Sequence, residues 1–157
     1  MEEKKVEFSS LLGLVINKIE FSLKDDDSIK LGETKHTRYD GSQYSVGISS
    51  NLVFHTNDGI YYFDPEGDCC AHIYLEDIIG DVKDLLDTPV LQAEKIESDQ
   101  VSKEEYDKIV DGQWDVGVWC FYKLVTINGY VTFRILDHNN GYYSTGLDFK
   151  KLPMDKF

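Results

Sequence analysis

Residues 119–136 read WCFYKLVTINGYVTFRIL and carry the clearest structural signal in the chain. Two mainly apolar runs, residues 119–127 and 130–136, flank Asn128-Gly129, and such runs on either side of a turn signal are typical of β-strands. Asn-Gly is the strongest short signal for a two-residue hairpin turn, because both turn positions require a positive φ. We therefore predict an antiparallel hairpin in which Ile127 lies opposite Tyr130.

One face of this predicted hairpin is apolar throughout and is expected to face the core. It carries Tyr122, Leu124, Val131, Phe133 and Ile135. The opposite face also carries large apolar side chains, namely Trp119, Phe121, Val125, Ile127 and Leu136. A sheet face of this composition is expected to be covered by a helix or by another subunit, so Trp119 and Phe121 are candidates for an apolar interface.

Turn signals place further strands on both sides of the hairpin. A turn at residues 139–141 (NNG) leads into residues 142–149, which predicts a C-terminal meander of three antiparallel strands. Upstream, residues 57–59 (NDG) predict a second hairpin. Strand patterns also occupy residues 17–24, 71–75 and 90–96.

Helical signals are short. The apolar spacing of residues 76–86 is helical, but Gly80 interrupts it and Pro89 ends it, so one or two short helical turns are expected. Residues 102–105 (SKEE) have the pattern of a helix N-terminus, with Ser102 as the cap. The signals together predict an α+β fold, mainly antiparallel β-sheet with a C-terminal three-strand meander and one or two short helices.

Negative charge is concentrated in the middle of the chain. Residues 64–115 contain 16 Asp and Glu but only 4 Lys, a net charge of −12 out of −13 for the whole chain. A folded surface with this charge repels nucleic acid and attracts basic partners. The predicted acidic binding surface consists of Asp64, Glu66, Asp68, Glu76, Asp77, Asp81, Asp84 and Asp87.

The sequence favours a cytoplasmic protein. The chain starts with charged residues, and no segment approaches the roughly 18 apolar residues of a membrane helix. Its three cysteines are odd in number, and the adjacent pair Cys69 and Cys70 has poor geometry for a mutual disulfide. Buried thiols in a reducing compartment are therefore expected.

Motifs for catalysis or cofactor binding are weak in this sequence. Asp64, Glu66 and Asp68 match the first three ligand positions of a calcium loop. However, Cys69 stands where such loops need glycine, and Leu75 stands where they need glutamate. No glycine-rich phosphate loop or nucleophile elbow is present. We therefore predict no catalytic residues, no metal and no cofactor.

Two blocks of sequence resemble a known family. The first comprises residues 68–70 (DCC), 74–81 (YLEDIIGD), 85–86 (LL) and 89–94 (PVLQAE), and the second comprises 121–123 (FYK), 129–134 (GYVTFR) and 140–144 (NGYYS). They resemble a family of small uncharacterised domains that occurs in phages and Gram-positive bacteria. The resemblance covers residues 51–149 and implies a phage or prophage origin and action in the cytoplasm of a bacterial host. We expect one domain, residues 1–157, with 51–150 as the family-like core and 1–50 as an N-terminal part.

The function expected from these observations is inhibition without catalysis. A phage-type protein would use the acidic surface to bind a basic host protein, such as a defence protein or a nucleic-acid-binding protein. Its carboxylates would occupy the phosphate sites of Lys and Arg side chains, and salt would weaken the contact. We expect no direct binding of nucleic acid and no membrane association, and we include a homodimer among the expected assemblies.

Two alternatives from other classes are kept open. An oligomeric sponge for a small ligand or nucleotide would use the basic residues Lys35, His36 and Arg38. A metal-dependent hydrolase, whose activity a chelator would abolish, would use Asp64, Glu66, Asp68 and Asp81.

Overall fold

The chain folds mostly into antiparallel β-strands. The computed structural model describes residues 4–23, 29–66, 71–97, 116–139 and 146–152. The strands in these ranges are β1 (Lys4–Val6), β2 (Ile16–Phe21), β3 (Ile29–Thr37), β4 (Gln43–Ser50), β5 (Leu52–Thr56), β6 (Gly59–Glu66), β7 (Ala71–Ile79), β8 (Gln92–Glu97), β9 (Val116–Thr126), β10 (Gly129–Asn139) and β11 (Gly146–Leu152). Two short 3-10 turns, Phe8–Leu11 and Val82–Leu85, are the helical segments of these ranges. Within the same ranges, no helix has the length and apolar character needed to cross a membrane.

The strands form two larger sheets and one separate hairpin. The first sheet has the order β1-β11-β6-β5-β2, the second has the order β7-β10-β9-β8, and β3 pairs with β4. All of these pairings are antiparallel. The chain leaves the first sheet after β6 and returns to it with β11, so this sheet combines segments that are far apart in sequence.

The two larger sheets pack against each other through an aromatic core. Phe54 of the first sheet lies 5.6 Å from Phe133 of the second, and Phe63 lies 4.6 Å from Tyr122, between ring centroids. All four side chains are at most 3% exposed. Edge-to-face ring pairs add to the free energy gained by removing apolar area from water, so this core holds the sheets together.

The outer face of the first sheet is covered in part by β3. Val53, Tyr62 and Leu152 form a second buried cluster on this face, and Ile29 and Leu31 of β3 pack against it. Successive side chains of a strand point to opposite faces, so β5 contributes in alternation to the main core and to this second cluster. This explains why β5 is apolar over three consecutive residues.

The predicted central hairpin is present as β9 and β10, but its register differs. The predicted pairing of Ile127 with Tyr130 is wrong, because Thr126 lies opposite Gly129 and the turn consists of Ile127 and Asn128. The Thr126 hydroxyl accepts a hydrogen bond from the Asn128 amide at 3.2 Å and stabilises this turn. Gly129 follows the turn at φ +150°, a conformation that side chains with a Cβ rarely adopt, and an added Cβ would lie 3.0 Å from a carboxylate oxygen of Asp84.

The faces of this hairpin are confirmed. Each residue of β10 pairs with the residue of β9 two positions before the predicted one, as Tyr130 does with Val125 instead of Ile127. A shift of two residues leaves every side chain on its predicted face, because side chains alternate between the faces along a strand. The predicted core face is at most 3% exposed at Tyr122, Leu124, Val131, Phe133 and Ile135.

The prediction of an α+β fold is wrong, and so is the C-terminal meander. Each helical segment is a single turn of four residues, so the described chain is essentially all-β. Strand β11 lies between β1 and β6 in the first sheet. The neighbour of β10 on the side away from β9 is β7. Phe149 of β11 lies opposite Phe63 and belongs to the main core. The pairing of distant segments decides this arrangement, and local sequence patterns do not specify it.

Strand β7 continues to Ile79 and replaces the first part of the stretch, residues 76–86, in which short helical turns were predicted. Its last residues are β-branched, which favours an extended backbone. Gly80 ends the strand at φ +112°, where an added Cβ would lie 2.8 Å from the Tyr130 carbonyl oxygen. The remaining helical structure in this stretch is the second 3-10 turn.

The other predicted elements are present with shifted ends. The hairpin predicted at residues 57–59 is formed by β5 and β6, and the strands predicted at residues 17–24 and 90–96 correspond to β2 and β8. The helix start predicted at residues 102–105 lies outside the described residues.

Candidate functional site

Three of the predicted acidic residues lie close to basic side chains. Asp64 on the first sheet accepts a hydrogen bond from Lys150 Nζ at 2.7 Å. Glu76 of β7 accepts one from Arg134 Nε at 2.6 Å, and Asp77 lies 3.7 Å from the same guanidinium. Their charges are therefore offset at least in part within the molecule.

Two other members of the predicted set are outside the structural description. Glu66 ends β6, but its side chain is not among the described groups, and Asp68 lies outside the described residues altogether. Residues 98–115, which carry much of the central negative charge, also lie outside them.

The remaining three, Asp81, Asp84 and Asp87, follow one another along the second 3-10 turn. Asp81 caps this turn, because its carboxylate accepts a hydrogen bond from the Lys83 amide at 3.0 Å. Asp87 follows the turn at φ +64°, a left-handed conformation that aspartate tolerates better than most residues. Its amide donates to the Ile16 carbonyl at 2.8 Å, which attaches this segment to β2.

The second 3-10 turn is attached to the end of the β9–β10 hairpin. The Thr126 hydroxyl donates a hydrogen bond to the Asp84 carbonyl oxygen. The Asp84 carboxylate lies beside Gly129, 3.0 Å from the position that a Cβ would occupy on this residue. Leu85 is fully buried in the main core. These contacts hold the aspartates beside the hairpin tip.

Three large apolar side chains are exposed at the same end of the second sheet. Ile127 is 78% exposed, Tyr130 is 59% exposed and Ile79 is 46% exposed. Ile79 lies opposite Thr132, so it is a diagonal neighbour of Tyr130 on the outer face. We call this set the acidic corner, and it comprises Ile79, Asp81, Asp84, Asp87, Ile127 and Tyr130.

Basic groups also lie near the acidic corner. Lys123 Nζ is 4.9 Å from the centroid of the Tyr130 ring, a cation–π contact on the outer face of the sheet. Lys83 is exposed within the 3-10 turn itself. The corner is therefore bordered mainly, but not only, by negative charge.

The predicted apolar interface is only partly exposed. Phe121 is half-buried and lies opposite Arg134, and Leu136 further along β10 is fully buried. Trp119 belongs to β9, but its side chain is not among the described groups. The exposed apolar residues of this face include Ile96, which lies opposite Phe121 and is 50% exposed, as well as Ile127 at the hairpin tip.

Sequence reasoning missed Ile79 and Tyr130 as site residues. Ile79 was assigned to a helical turn, which conceals its position on a sheet face. Tyr130 directly follows the Asn128-Gly129 turn signal and lies on the face opposite the core, and this position was the available signal.

The structure describes only some of the residues of the two alternative functions. Arg38 lies 4.5 Å above the Tyr44 ring and donates to Ser42 at 3.3 Å, so it is engaged within the β3–β4 hairpin. Asp64 belongs to the first sheet, whereas Asp81 follows the last residue of β7 in the second. Across the described ranges, no three His, Cys, Asp or Glu side chains gather as metal ligands would.

The fold and the acidic corner define an all-β domain of two packed sheets that presents an apolar, carboxylate-bordered surface. A family model described as a domain of unknown function, DUF7448, matches residues 9–149, so the chain belongs to this family. The expectation that the chain belongs to a family of uncharacterised domains is thereby confirmed at this coarse level, and the match includes most of the N-terminal part. No curated protein and no solved structure matches the chain.

Proposed function

We propose that this protein is a non-enzymatic, phage-type binding protein that docks on a basic host protein and inhibits it through the acidic corner. The observation that carries the proposal is the exposure of three neighbouring large apolar side chains beside three aspartates. Single exposed apolar residues are ordinary, but a group with a charged border is typical of surfaces that bind other proteins.

The two parts of the corner would act differently during binding. Tyr130 and Ile127 would be buried against the partner, and a large, rigid tyrosine is a frequent source of binding free energy in interfaces. The aspartates would attract Lys and Arg side chains and raise the association rate, and this effect weakens as salt screens the charges. A partner whose basic groups normally bind phosphate would be inhibited by competition.

The first test is a pull-down from bacterial lysate with the tagged full chain, washed at low and high salt, with identification of bound proteins by mass spectrometry. The decisive comparison is between wild type, Tyr130→Ser and Tyr39→Ser. Tyr39 is 104% exposed in the turn between β3 and β4, so it is a control for loss of an exposed tyrosine. The proposal expects a basic protein that wild type and Tyr39→Ser capture and Tyr130→Ser loses.

A second variant tests the charged border with the identified partner. The triple substitution Asp81→Asn, Asp84→Asn and Asp87→Asn should slow association by roughly tenfold at low salt and flatten its salt dependence. Asparagine also caps helical turns, so the fold should be retained. The control is Glu33→Gln with Asp40→Asn, which removes exposed carboxylates from the β3–β4 hairpin.

Three outcomes would contradict the proposal. One is the absence of any captured protein at low salt. Another is a partner retained equally by wild type and Tyr130→Ser, and the third is an association rate that the triple substitution leaves unchanged.

A further inference from the structure

A groove of about 370 Å³ lies at one side of the molecule, between the edge strand of each large sheet. The groove is lined by residues of β1, of β8 and of the first 3-10 turn, together with residues of β9 and β11. This volume is at the lower end of the range for pockets that bind small molecules. The groove is separate from the acidic corner, and the inference from it does not depend on the proposed function.

The floor of the groove is aromatic. Phe8 lies 5.0 Å from Tyr122 and 5.4 Å from Phe149, both with steeply inclined rings. All three rings are at most 6% exposed and belong to the main core. A ligand in the groove would therefore contact the accessible edges of these rings, which come from both sheets and from the first 3-10 turn.

The mouth of the groove carries charges of both signs. Lys5 Nζ lies 3.0 Å from the Asp148 carboxylate, and the Asp148 side chain is only 13% exposed. Lys95 of β8 extends over the Tyr122 ring, with its Nζ 6.0 Å from the centroid. Glu7 is an exposed lining residue at the start of the first 3-10 turn. Two cations and two carboxylates thus border one apolar floor.

We propose that this groove binds a small zwitterion with an apolar or aromatic side chain, that is, a free α-amino acid. The side chain would lie on the aromatic floor, the ligand carboxylate would meet a lysine, and its ammonium group would meet Glu7 or Asp148. A mononucleotide fits this arrangement poorly, because its phosphate would approach two carboxylates as well as two lysines. The balance of charges at the mouth therefore selects for a ligand that carries both signs.

The test is a titration of the ¹⁵N-labelled full chain, followed by amide NMR shifts, with four probes. They are L-phenylalanine, 3-phenylpropionate without the ammonium group, phenethylamine without the carboxylate, and AMP. Saturable shifts with L-phenylalanine at residues lining the groove, with at least about tenfold weaker binding of the other three probes, are expected. The proposal would be overturned if L-phenylalanine gave no saturation, if either analogue bound as tightly as L-phenylalanine, or if AMP bound more tightly than L-phenylalanine.

Matched variants locate the binding. Lys95→Met and Glu7→Gln should each weaken L-phenylalanine binding by about tenfold. Lys83→Met removes an exposed lysine from the second 3-10 turn and should bind like wild type. Because the substituted groups are exposed, the variants are expected to keep the wild-type amide spectrum elsewhere. Unchanged binding by Lys95→Met and Glu7→Gln would place the ligand outside the groove.

Discussion

Glu20 and His55 form a polar contact between β2 and β5 on the outer face of the first sheet. The Glu20 carboxylate lies 2.8 Å from His55 Nε2 and 3.5 Å from Lys18 Nζ. The hydrogen bond with His55 lowers the pKa of Glu20 below its ordinary value of 4.5, against the opposing effect of partial burial. The ionised form of Glu20 is therefore favoured more strongly in the folded chain than in the unfolded chain.

This contact predicts a pH-dependent loss of stability. Since the pKa is lowered on folding, the contribution is present above pH 4.5 and disappears as the pH falls through the folded-state value. Glu20→Gln should lower the free energy of unfolding by about 0.2–1 kcal/mol near pH 6, and the difference should shrink near pH 3. Urea unfolding at a series of pH values measures the effect.

The control for this prediction is Glu33→Gln. It removes the same charge from an exposed position of β3 and reports the effect of net charge alone. A difference between wild type and Glu20→Gln that stays constant from about pH 6 to pH 3 would contradict the assigned cause.

The acidic residues show how far single positions can be read from sequence. The sequence reveals that Glu76 and Asp81 are acidic, and an exposed carboxylate is the common expectation for both. It does not reveal that Arg134, 58 residues away, binds Glu76 and leaves its side chain only 12% exposed. Asp81 was easier to interpret, since its capping partner is two residues away.

At the scale of elements, a β-bulge positions the ion pair between β7 and β10. Arg134 lies opposite Asp77 and Ile135 lies opposite Leu75, so Glu76 is the extra residue on β7. A bulge redirects the side chain of the extra residue. Here it lets Glu76 reach the guanidinium of Arg134, which also lies near Asp77.

Removal of one partner from this ion pair should cost more than removal of both. Arg134→Met leaves a mostly buried carboxylate without its main donor and should lower the free energy of unfolding by about 1–3 kcal/mol. Adding Glu76→Gln to that variant should recover part of the loss. A double-mutant cycle by urea unfolding is expected to give a coupling of about 0.5–3 kcal/mol.

Additive losses in the mutant cycle would contradict this prediction. If the losses from Arg134→Met and Glu76→Gln simply add in the double variant, the two side chains do not stabilise each other, and the role assigned to the bulge is wrong.

Elements formed by neighbouring segments were the easiest to predict. The β9–β10 hairpin follows from alternation and a turn dipeptide within a single stretch, and its two faces were correct. The end of β7 was not predictable in the same way, because Ile78 and Ile79 fit both helical and strand patterns. Pairing with β10 decides between them, and that partner lies about fifty residues further along the chain.

At the scale of the whole molecule, stability depends on the aromatic contact between the two large sheets. Phe54 is fully buried at this contact, within 6.4 Å of Phe63 and 5.6 Å of Phe133 between ring centroids. Phe54→Ala should lower the free energy of unfolding by about 3–5 kcal/mol, because it removes ring contacts and leaves a cavity. Chemical denaturation followed by circular dichroism measures this loss.

Tyr39→Ala is the control for the core prediction, because this fully exposed ring should be replaceable within about 0.5 kcal/mol. If Phe54→Ala unfolds at the same denaturant concentration as wild type, the two sheets are held together by contacts other than this core.

The sheet topology and the groove were both beyond local sequence reasoning. Strand β11 was predicted beside β10 because the two are adjacent in sequence, and its actual partners are β1 and β6. The groove combines residues from the N-terminal segment, β8, β9 and β11, so no local motif marks it. The aspartates of the acidic corner were predicted, because they belong to one acidic segment of the sequence. Its apolar residues come from two other segments, and Ile79 and Tyr130 were missed as site residues.

The position of β11 between β1 and β6 also affects how the protein is made. A ribosome synthesises β1 and β6 well before β11, yet in the described chain β1 joins the first sheet only through β11. Until translation has passed Leu152, the growing chain presents β6 with an open edge next to the rings of the core. The first sheet can therefore be completed only after nearly the whole described chain has been synthesised, and until then the open edge of β6 is available for pairing with other chains.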